Sequence, residues 1–200
     1  MRAAINQFRT NIERVRNLGT IYKALNAQTT DILDLSDLLR AELVMAVSAF
    51  DHYIHEIVRL GMLEAYQTHR IQTQAFLRFR VTLDNVLQGI STPSTSTWLE
   101  DQIRNSHGFQ SFQHPDKVAD AIRLISNVQL WDEIANHLSV TKQDVKQQLS
   151  LIIDRRNKIA HEADIDPSFP GRRWPINDSL VDNSINFIEQ LAETIFRIVS

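Results

Sequence analysis

The chain lacks cysteine entirely. A disulfide framework, a zinc site with thiolate ligands and a cysteine nucleophile are therefore excluded. Glycine is scarce, with 5 residues in the whole chain. The motifs that depend on glycine are missing too, since there is no phosphate-binding loop, no serine nucleophile elbow and no dinucleotide fingerprint. P-loop nucleotide hydrolysis, serine hydrolysis of the elbow type and Rossmann redox chemistry are therefore not indicated.

The chain also lacks an excess of positive charge and any long apolar run. Lys and Arg together number 21 against 24 Asp and Glu, a net charge of -3. The overall field therefore does not attract phosphates, and any contact with nucleic acid must come from a local cluster. The N-terminal residues mix Arg and Glu with apolar side chains, unlike a signal peptide, and no apolar run could span a bilayer. We expect a cytoplasmic protein with no membrane partner.

The chain does contain apolar residues at helical spacing. With 43% hydrophobic residues in 200, it can bury one core, and we predict a single domain over residues 1–200. Steps of three and four predict four long helices, two of which lie over residues 141–163 and 178–199. Of these four helices, the N-terminal one belongs to a helix and connector over residues 1–35. Ser36 is predicted to cap the next one, which runs to about residue 69. No strand pattern is visible, so the predicted fold is all-α, a bundle of long helices.

Shorter elements are predicted between the long helices. Residues 72–87 form a third predicted helical segment, followed by a loop rich in Ser and Thr over residues 91–97. Residues 90–140 hold three shorter helices, one of them opened by Pro115, and we predict that they are an insertion packed on the main bundle. Residues 164–177 contain too many breakers for regular structure, namely Pro167, Pro170, Gly171 and Pro175.

The helix predicted over residues 141–163 carries the best indication of chemistry. Thr141 and Asp144 resemble a capping box that opens it. One face then advances by four, three, four, three and four residues. Its members are Val145, Leu149, Ile152, Arg156, Ile159 and Ala163. Arg156 thus occupies a position where Leu would be expected, and its guanidinium needs a carboxylate, a phosphate or a partner surface, because an unpaired buried charge is costly.

The end of this helix admits two interpretations. Asn157 and His161 lie four apart on the neighbouring strip, so they and Arg156 can converge on one edge as a fixed charge and a group that exchanges protons near neutral pH. Alternatively, Arg156 closes a buried ion pair that fixes helix register, and His161 caps the helix C-terminus, where the dipole favours an imidazolium. The spacing alone does not decide between them.

The stretch Arg156-Asn157-x-x-x-His161 resembles the R-polar-x-x-x-H motif of the HEPN superfamily. Members are small all-helical domains, and many are metal-independent RNases of toxin, antiphage-defence and CRISPR-associated systems. In that superfamily the motif lies late in the domain, at the end of a long helix and ahead of a final helix, as it does here. Residues 43–63, with Ser48-Ala49-Phe50-Asp51-x-Tyr53-Ile54, are also similar to the early helix of the RiboL-PSP-type HEPN branch. The resemblance covers residues 36–200 and implies a HEPN-like helical bundle with an inserted set of shorter helices.

The resemblance implies a ribonuclease mechanism that uses no metal and no cofactor. His161 would act as general acid or base, Arg156 would stabilise the phosphorane, and Asn157 would orient the phosphate or the histidine. The neighbouring Arg155 and Lys158 would help to bind the substrate. The expected products are a 2',3'-cyclic phosphate and a 5'-hydroxyl, and DNA would resist because it lacks the 2'-hydroxyl nucleophile.

The resemblance also implies a homodimer. Two-fold pairing through the motif edge would bring two copies of Arg156 and of His161 into one cleft, which supplies an acid and a base from identical chains. Asp51, at the edge of the early helix stripe, is a candidate carboxylate partner for Arg156. RNA is the expected substrate, and an antitoxin or another defence-system protein is the expected partner.

Other assignments remain open beside this one. The chain could be a catalytically inactive HEPN-like module that binds RNA, a nucleotide or a protein, or a helical scaffold whose motif only fixes register. The basic and aromatic stretch 172–174 could grip a single strand, or it could be a solvated loop with Trp174 as a packing anchor. His52, His55 and Glu56 share a helix, but their order does not match a zincin signature, and we expect no metal site.

Overall fold

The computed structural model describes residues 1–29, 33–169 and 171–200, and all regular secondary structure within them is helical. The helices in chain order are α1 (Arg2–Asn26), α2 (Ser36–Tyr66), α3 (Gln74–Leu77), α4 (Leu83–Ser91), α5 (Thr97–His107), α6 (Pro115–Arg123), α7 (Leu130–Leu138), α8 (Lys142–Glu162) and α9 (Asp178–Val199). The all-α prediction is confirmed. Residues 30–32 of the predicted connector, and Pro170 of the predicted loop, lie outside the described residues.

Helix α2 is the central element of the bundle. It contacts α1, α5, α6, α8 and α9. Its wide apolar stripe is buried, as the steps of three and four predict, and Phe50 and Ile54 are fully enclosed. Tyr53 is also buried, and its hydroxyl donates to the backbone oxygen of Ala192 on α9 at 3.1 Å, so the one polar atom of the ring is satisfied.

The shorter helices α5, α6 and α7 contribute to the same core. Leu99, Ile103, Val118, Ile122 and Ile134 belong to one cluster with the buried residues of the long helices. Helix α6 begins with Pro115, as predicted. The assignment of residues 90–140 as an insertion remains a prediction, because packing does not show which elements were added to a bundle.

Two local predictions were wrong. Residues 72–87 do not form one helix, because Thr73 and Thr82 each cap a separate one, α3 and α4, through side-chain oxygens that accept a backbone N–H. Ser36 does not cap α2. It is the first helical residue, its N–H donates to Asp34 Oδ1 at 2.9 Å, and its hydroxyl accepts from Arg40. Ser and Thr have the same local preference in both places, so only the surrounding packing decides which one becomes a cap.

No helix within the described residues is both long and apolar enough to cross a bilayer.

Candidate functional site

Helix α8 presents the motif in its last two turns. Thr141 caps its N-terminus by accepting the N–H of Asp144 at 3.1 Å, while the Asp144 carboxylate accepts the Thr141 hydroxyl at 2.6 Å. The helix ends where Ala163 and Asp164 adopt positive φ angles of 49° and 58°. This left-handed turn reverses the chain, as helix C-termini commonly do. The segment that follows therefore folds back against the start of α2.

Arg156 lies in line with the buried residues Leu149 and Ile152, but the core thins out at the end of the helix and the side chain is only half-buried. One terminal nitrogen donates to Asn157 Oδ1 at 3.0 Å. Its Nε is enclosed and has no hydrogen-bond partner, and none of the carboxylates in the described part of the chain forms an ion pair with it. The register-fixing ion pair that the sequence left open is therefore not present among these residues.

His161 lies on the outward side of α8. Leu151, Asp154, Lys158 and His161 follow one another at steps of three, four and three, so they share one strip of the helix surface. His161 is exposed and its ring makes no hydrogen bond within residues 1–29, 33–169 and 171–200. Its imidazole is therefore not tied to a helix carbonyl as a C-terminal cap would be.

A groove of about 590 Å³ runs between α8 and the segment that joins α5 to α6. Arg156, Asn157, Ile153 and Asp154 line it from α8, and residues 109–114 with Lys117 line it from the other side, except for the buried Phe112. The structure therefore brings Arg156 and Asn157 to one groove. His161 is not among the lining residues and lies one helical turn beyond Asn157.

Asp51 supports the far wall of this groove. Its Oδ1 accepts the backbone N–H of Phe112 at 2.6 Å, and it forms no ion pair with Arg156 among the described residues. His55, one turn along α2, contacts the same segment through the Gln110 carbonyl at 3.2 Å. Its ring also packs against Phe112, with ring centroids 4.4 Å apart and planes tilted by 36°. Sequence reasoning did not find this link, because residues 109–113 carry no periodic pattern.

Arg155 points to the opposite side of α8. Its Nη2 lies 2.8 Å from Asp164 Oδ2, and Arg40 Nε lies 2.7 Å from the same oxygen. Both arginines also donate to the Trp174 carbonyl, at 3.2 and 2.9 Å. Burial lowers the pKa of the Arg155 guanidinium, and nearby Arg40 adds to this while Asp164 opposes it. Arg155 therefore joins the post-motif segment to α2, away from the groove.

Lys158 contacts an aromatic ring. Its Nζ lies 5.0 Å from the Trp174 ring centroid, a cation–π contact. Arg173 pairs with Asp34 at 2.8 Å and also with Asp37. The half-buried Trp174 thus packs under Lys158, and the stretch 172–174 is anchored rather than free.

A second, smaller groove lies between α2 and α5. His52, His55, Glu56 and Arg59 line it together with His107. Glu56 is paired with Arg59 at 2.6 Å, and burial lowers the pKa of His107 to about 4. Within the described residues, no group of three or more His, Asp or Glu side chains is arranged to hold a metal ion.

The family model described as RiboL-PSP-HEPN matches residues 9–200 of the chain. None of the curated proteins and none of the solved structures matches the chain. The matched region contains α8 and the groove, and it extends the resemblance seen in the sequence to the greater part of α1.

Proposed function

Because the chain belongs to the RiboL-PSP-HEPN family, we propose that it is a metal-independent endoribonuclease whose site is completed by a second copy of the chain. The acting groups in this proposal are Arg156 and His161, with Asn157 as the orienting residue. Lys158 and Arg155 hold the surrounding structure by their contacts with Trp174 and Asp164.

The observation that carries the proposal is the state of Arg156. Its guanidinium is half-buried, lines an open groove and has an enclosed Nε with no acceptor in the described part of the chain. A permanent charge held in this way has no counter-ion among the described residues, and the planar donor set of Arg matches a phosphate. The neighbouring Asn157 side chain holds it in place through the 3.0 Å hydrogen bond. This arrangement is suited to stabilising negative charge on a phosphorane.

The reaction is an internal transesterification. One imidazole removes the proton of the 2'-hydroxyl while that oxygen attacks phosphorus, and the bond from phosphorus to the 5'-oxygen breaks. A second imidazole, in its protonated form, gives a proton to the leaving oxygen. The products are a 2',3'-cyclic phosphate and a 5'-hydroxyl, and no oxidant, metal or water molecule is consumed. Arg156 stabilises the extra negative charge that develops between these events.

Each chain provides one motif histidine, so the second proton carrier must come from another copy. The outward strip of α8 supports this pairing, because Leu151 is 60% exposed on the same strip as His161. Covering that strip with a symmetry-related α8 would bury Leu151 and bring two imidazoles towards each other. The pair would then contain one base and one acid from identical residues.

We further propose a toxin or defence role, in which the enzyme cuts cellular or phage RNA and a partner protein restrains it. Induced expression in bacteria should then arrest growth, and His161→Ala should abolish the arrest at equal protein level. A catalytically inactive module that binds RNA or a nucleotide is the second candidate, and the exposed ring of His161 would fit that function as well.

The test is RNA cleavage by purified protein in EDTA. Wild type, Arg156→Ala and His161→Ala are compared, and His137→Ala is the matched control, since His137 is also exposed in the last turn of a helix. We expect wild type and His137→Ala to cut and both motif variants to lose at least about 100-fold in rate, the usual contribution of general acid–base catalysis. Circular dichroism establishes that each variant is folded.

Two results would overturn the proposal. One is cleavage that EDTA abolishes and that leaves 5'-phosphate ends. The other is cleavage that survives His161→Ala. The composite site has its own test, namely a heterodimer of one wild-type and one His161→Ala subunit purified by two different tags. It should retain much less than half of the wild-type rate, and half or more would exclude shared histidines.

A further inference from the structure

One large apolar side chain stands out at the rim of the groove. Phe109 is 100% exposed, the largest exposed fraction among the large apolar side chains of the described residues. It lies directly after Gly108, the C-cap of α5, and it is among the residues that line the same groove as Arg156 and Asn157. A lone exposed apolar side chain is common on protein surfaces, but covering a phenyl ring is favourable, so its place beside the groove offers contact area to a ligand bound there.

The segment that carries Phe109 is held in a defined conformation. Gln110 donates its N–H to the His107 carbonyl at 2.8 Å and accepts His55 Nε2 at 3.2 Å. Two residues further on, the Phe112 N–H is held by Asp51 at 2.6 Å. These bonds fix the backbone on the C-terminal side of Phe109.

On the N-terminal side of Phe109, the Gly108 N–H donates to the Arg104 carbonyl at 2.8 Å, which holds the turn to the end of α5. A Cβ at this position would lie 2.9 Å from the Arg104 carbonyl, so the close turn at the end of α5 requires glycine. Phe109 is therefore presented on a pinned turn, and its ring can receive a ligand at a low cost in conformational entropy.

The groove beneath this ring is more cationic than anionic. Lys117 and Arg156 line it from opposite sides, and neither forms an ion pair with a described carboxylate. His114 lines it as well, and Asp154 is the only carboxylate in the lining. A phosphate in the groove would therefore face two positive charges and one negative charge, which favours binding.

We infer that Phe109 is a base-stacking subsite, on which an unpaired base of an RNA strand lies while the phosphate beside it sits between Lys117 and Arg156. The inference rests on the proposed function and narrows its substrate class to single-stranded RNA. Every base has a π-face, so an aromatic platform accepts any sequence, but a base inside a duplex is not accessible to it. A protein partner would use the apolar area of the ring without requiring that it be aromatic.

The choice of variants rests on this difference between stacking, which needs an aromatic ring, and protein binding, which needs only apolar area. Phe109→Leu keeps an apolar side chain and removes the π-face, whereas Phe109→Trp keeps a π-face. Phe169→Leu is the matched control, because Phe169 is also exposed, at 58%, but does not line the groove. The probe is a fluorescein-labelled RNA of eight nucleotides with 2'-O-methyl groups, which cannot be cleaved by 2'-hydroxyl attack. Fluorescence anisotropy at fixed salt gives its Kd.

We expect Phe109→Leu to weaken binding by about 5- to 100-fold, with Phe109→Trp and Phe169→Leu within about twofold of wild type. Replacing single nucleotides by abasic ones locates the stacked base. At one position, the abasic probe should bind the wild type more weakly than the intact probe does. The Phe109→Leu variant should bind that abasic probe and the intact probe equally well. The same strand annealed to its complement should bind all four proteins weakly.

The stacking inference is overturned if Phe109→Leu binds like wild type, or if it changes the oligomeric state measured by light scattering, which would make Phe109 a protein contact. Cleavage of the same RNA without 2'-O-methyl groups is measured in parallel. Cleavage that persists when Phe109→Leu binds normally refutes the subsite alone. If wild type neither binds nor cleaves RNA, the proposed function fails and the subsite fails with it.

Discussion

Removing the carboxylate of Asp164 should destabilise the fold more than any exposed ion pair can. Asp164 is 1% exposed, and its Oδ2 accepts from both Arg40, at 2.7 Å, and Arg155, at 2.8 Å. Each is a charge-assisted hydrogen bond worth about 1.5–3 kcal/mol, and loss of the carboxylate leaves two largely buried guanidiniums facing each other. For Asp164→Ala we therefore expect the free energy of unfolding to fall by about 3–5 kcal/mol.

Two controls separate the causes. Asp164 has a positive φ of 58°, which Asn tolerates better than Ala, so Asp164→Asn keeps the backbone preference and the side-chain size and removes the charge. It should cost about half as much as Asp164→Ala, because a neutral acceptor remains. Asp120→Ala removes a partner from the exposed pair with Arg123 and should cost less than about 1 kcal/mol.

The measurement is urea unfolding followed by circular dichroism, with the free energy obtained by linear extrapolation. Domains are stable by about 5–15 kcal/mol, so a loss of this size leaves a folded population at zero urea. If Asp164→Ala and Asp120→Ala shift the midpoint equally, then the buried network contributes no more than a surface pair, and the reasoning from burial and paired donors is refuted.

Three further predictions concern stability. Burial raises the pKa of Glu42 to about 7, and Asp182 adds to the shift, so the free energy of unfolding falls as pH rises from about 4.5 to about 7. Glu42→Gln should therefore raise the free energy of unfolding by up to about 3 kcal/mol at pH 8 and by little near pH 4.5. An equal effect at the two pH values would contradict this. Thr141→Ala removes the cap to the Asp144 N–H and should lower the free energy of unfolding by about 1 kcal/mol and the Tm by about 2–4 °C. An unchanged Tm would show that the cap contributes nothing. Gly61→Ala should destabilise by about 1–3 kcal/mol in urea although Ala favours helices, because its Cβ would lie 2.7 Å from Ile125 Cγ2, and a more stable variant would show that Ile125 yields freely.

The helical elements were largely predictable because they depend on local spacing. The stripe of α2, the N-cap at Thr141 and the break after α8 all follow from periodicity, capping chemistry and the breakers in residues 164–177. The third segment was predicted wrongly, because a helical pattern does not show whether Thr73 and Thr82 lie within a helix or cap one. The family resemblance, which rested on the motif and on the early helix, is confirmed over residues 9–200.

The candidate site was predictable only along one helix. Arg156, Asn157 and His161 could be placed on adjoining strips of α8 because a helix converts spacing in sequence into position on a surface. Their roles remain predictions. The opposite wall of the groove was not predictable, since residues 109–114 join α5 to α6 in a conformation that depends on Asp51 and His55 in α2.

By itself, the sequence determined that this protein is a bundle of helices, in one of which an arginine occupies a position of the apolar stripe and a histidine lies on the neighbouring strip. Those properties are local, and they follow from a period of 3.6 residues and from the chemistry of each side chain. Only the tertiary structure decided which cations are neutralised. Arg155 pairs with Asp164, to which Arg40 also donates, whereas Arg156 faces a groove. The physical reason is that an ion pair depends on two side chains meeting in space, and Arg40 and Asp164 are separated by 124 positions along the chain.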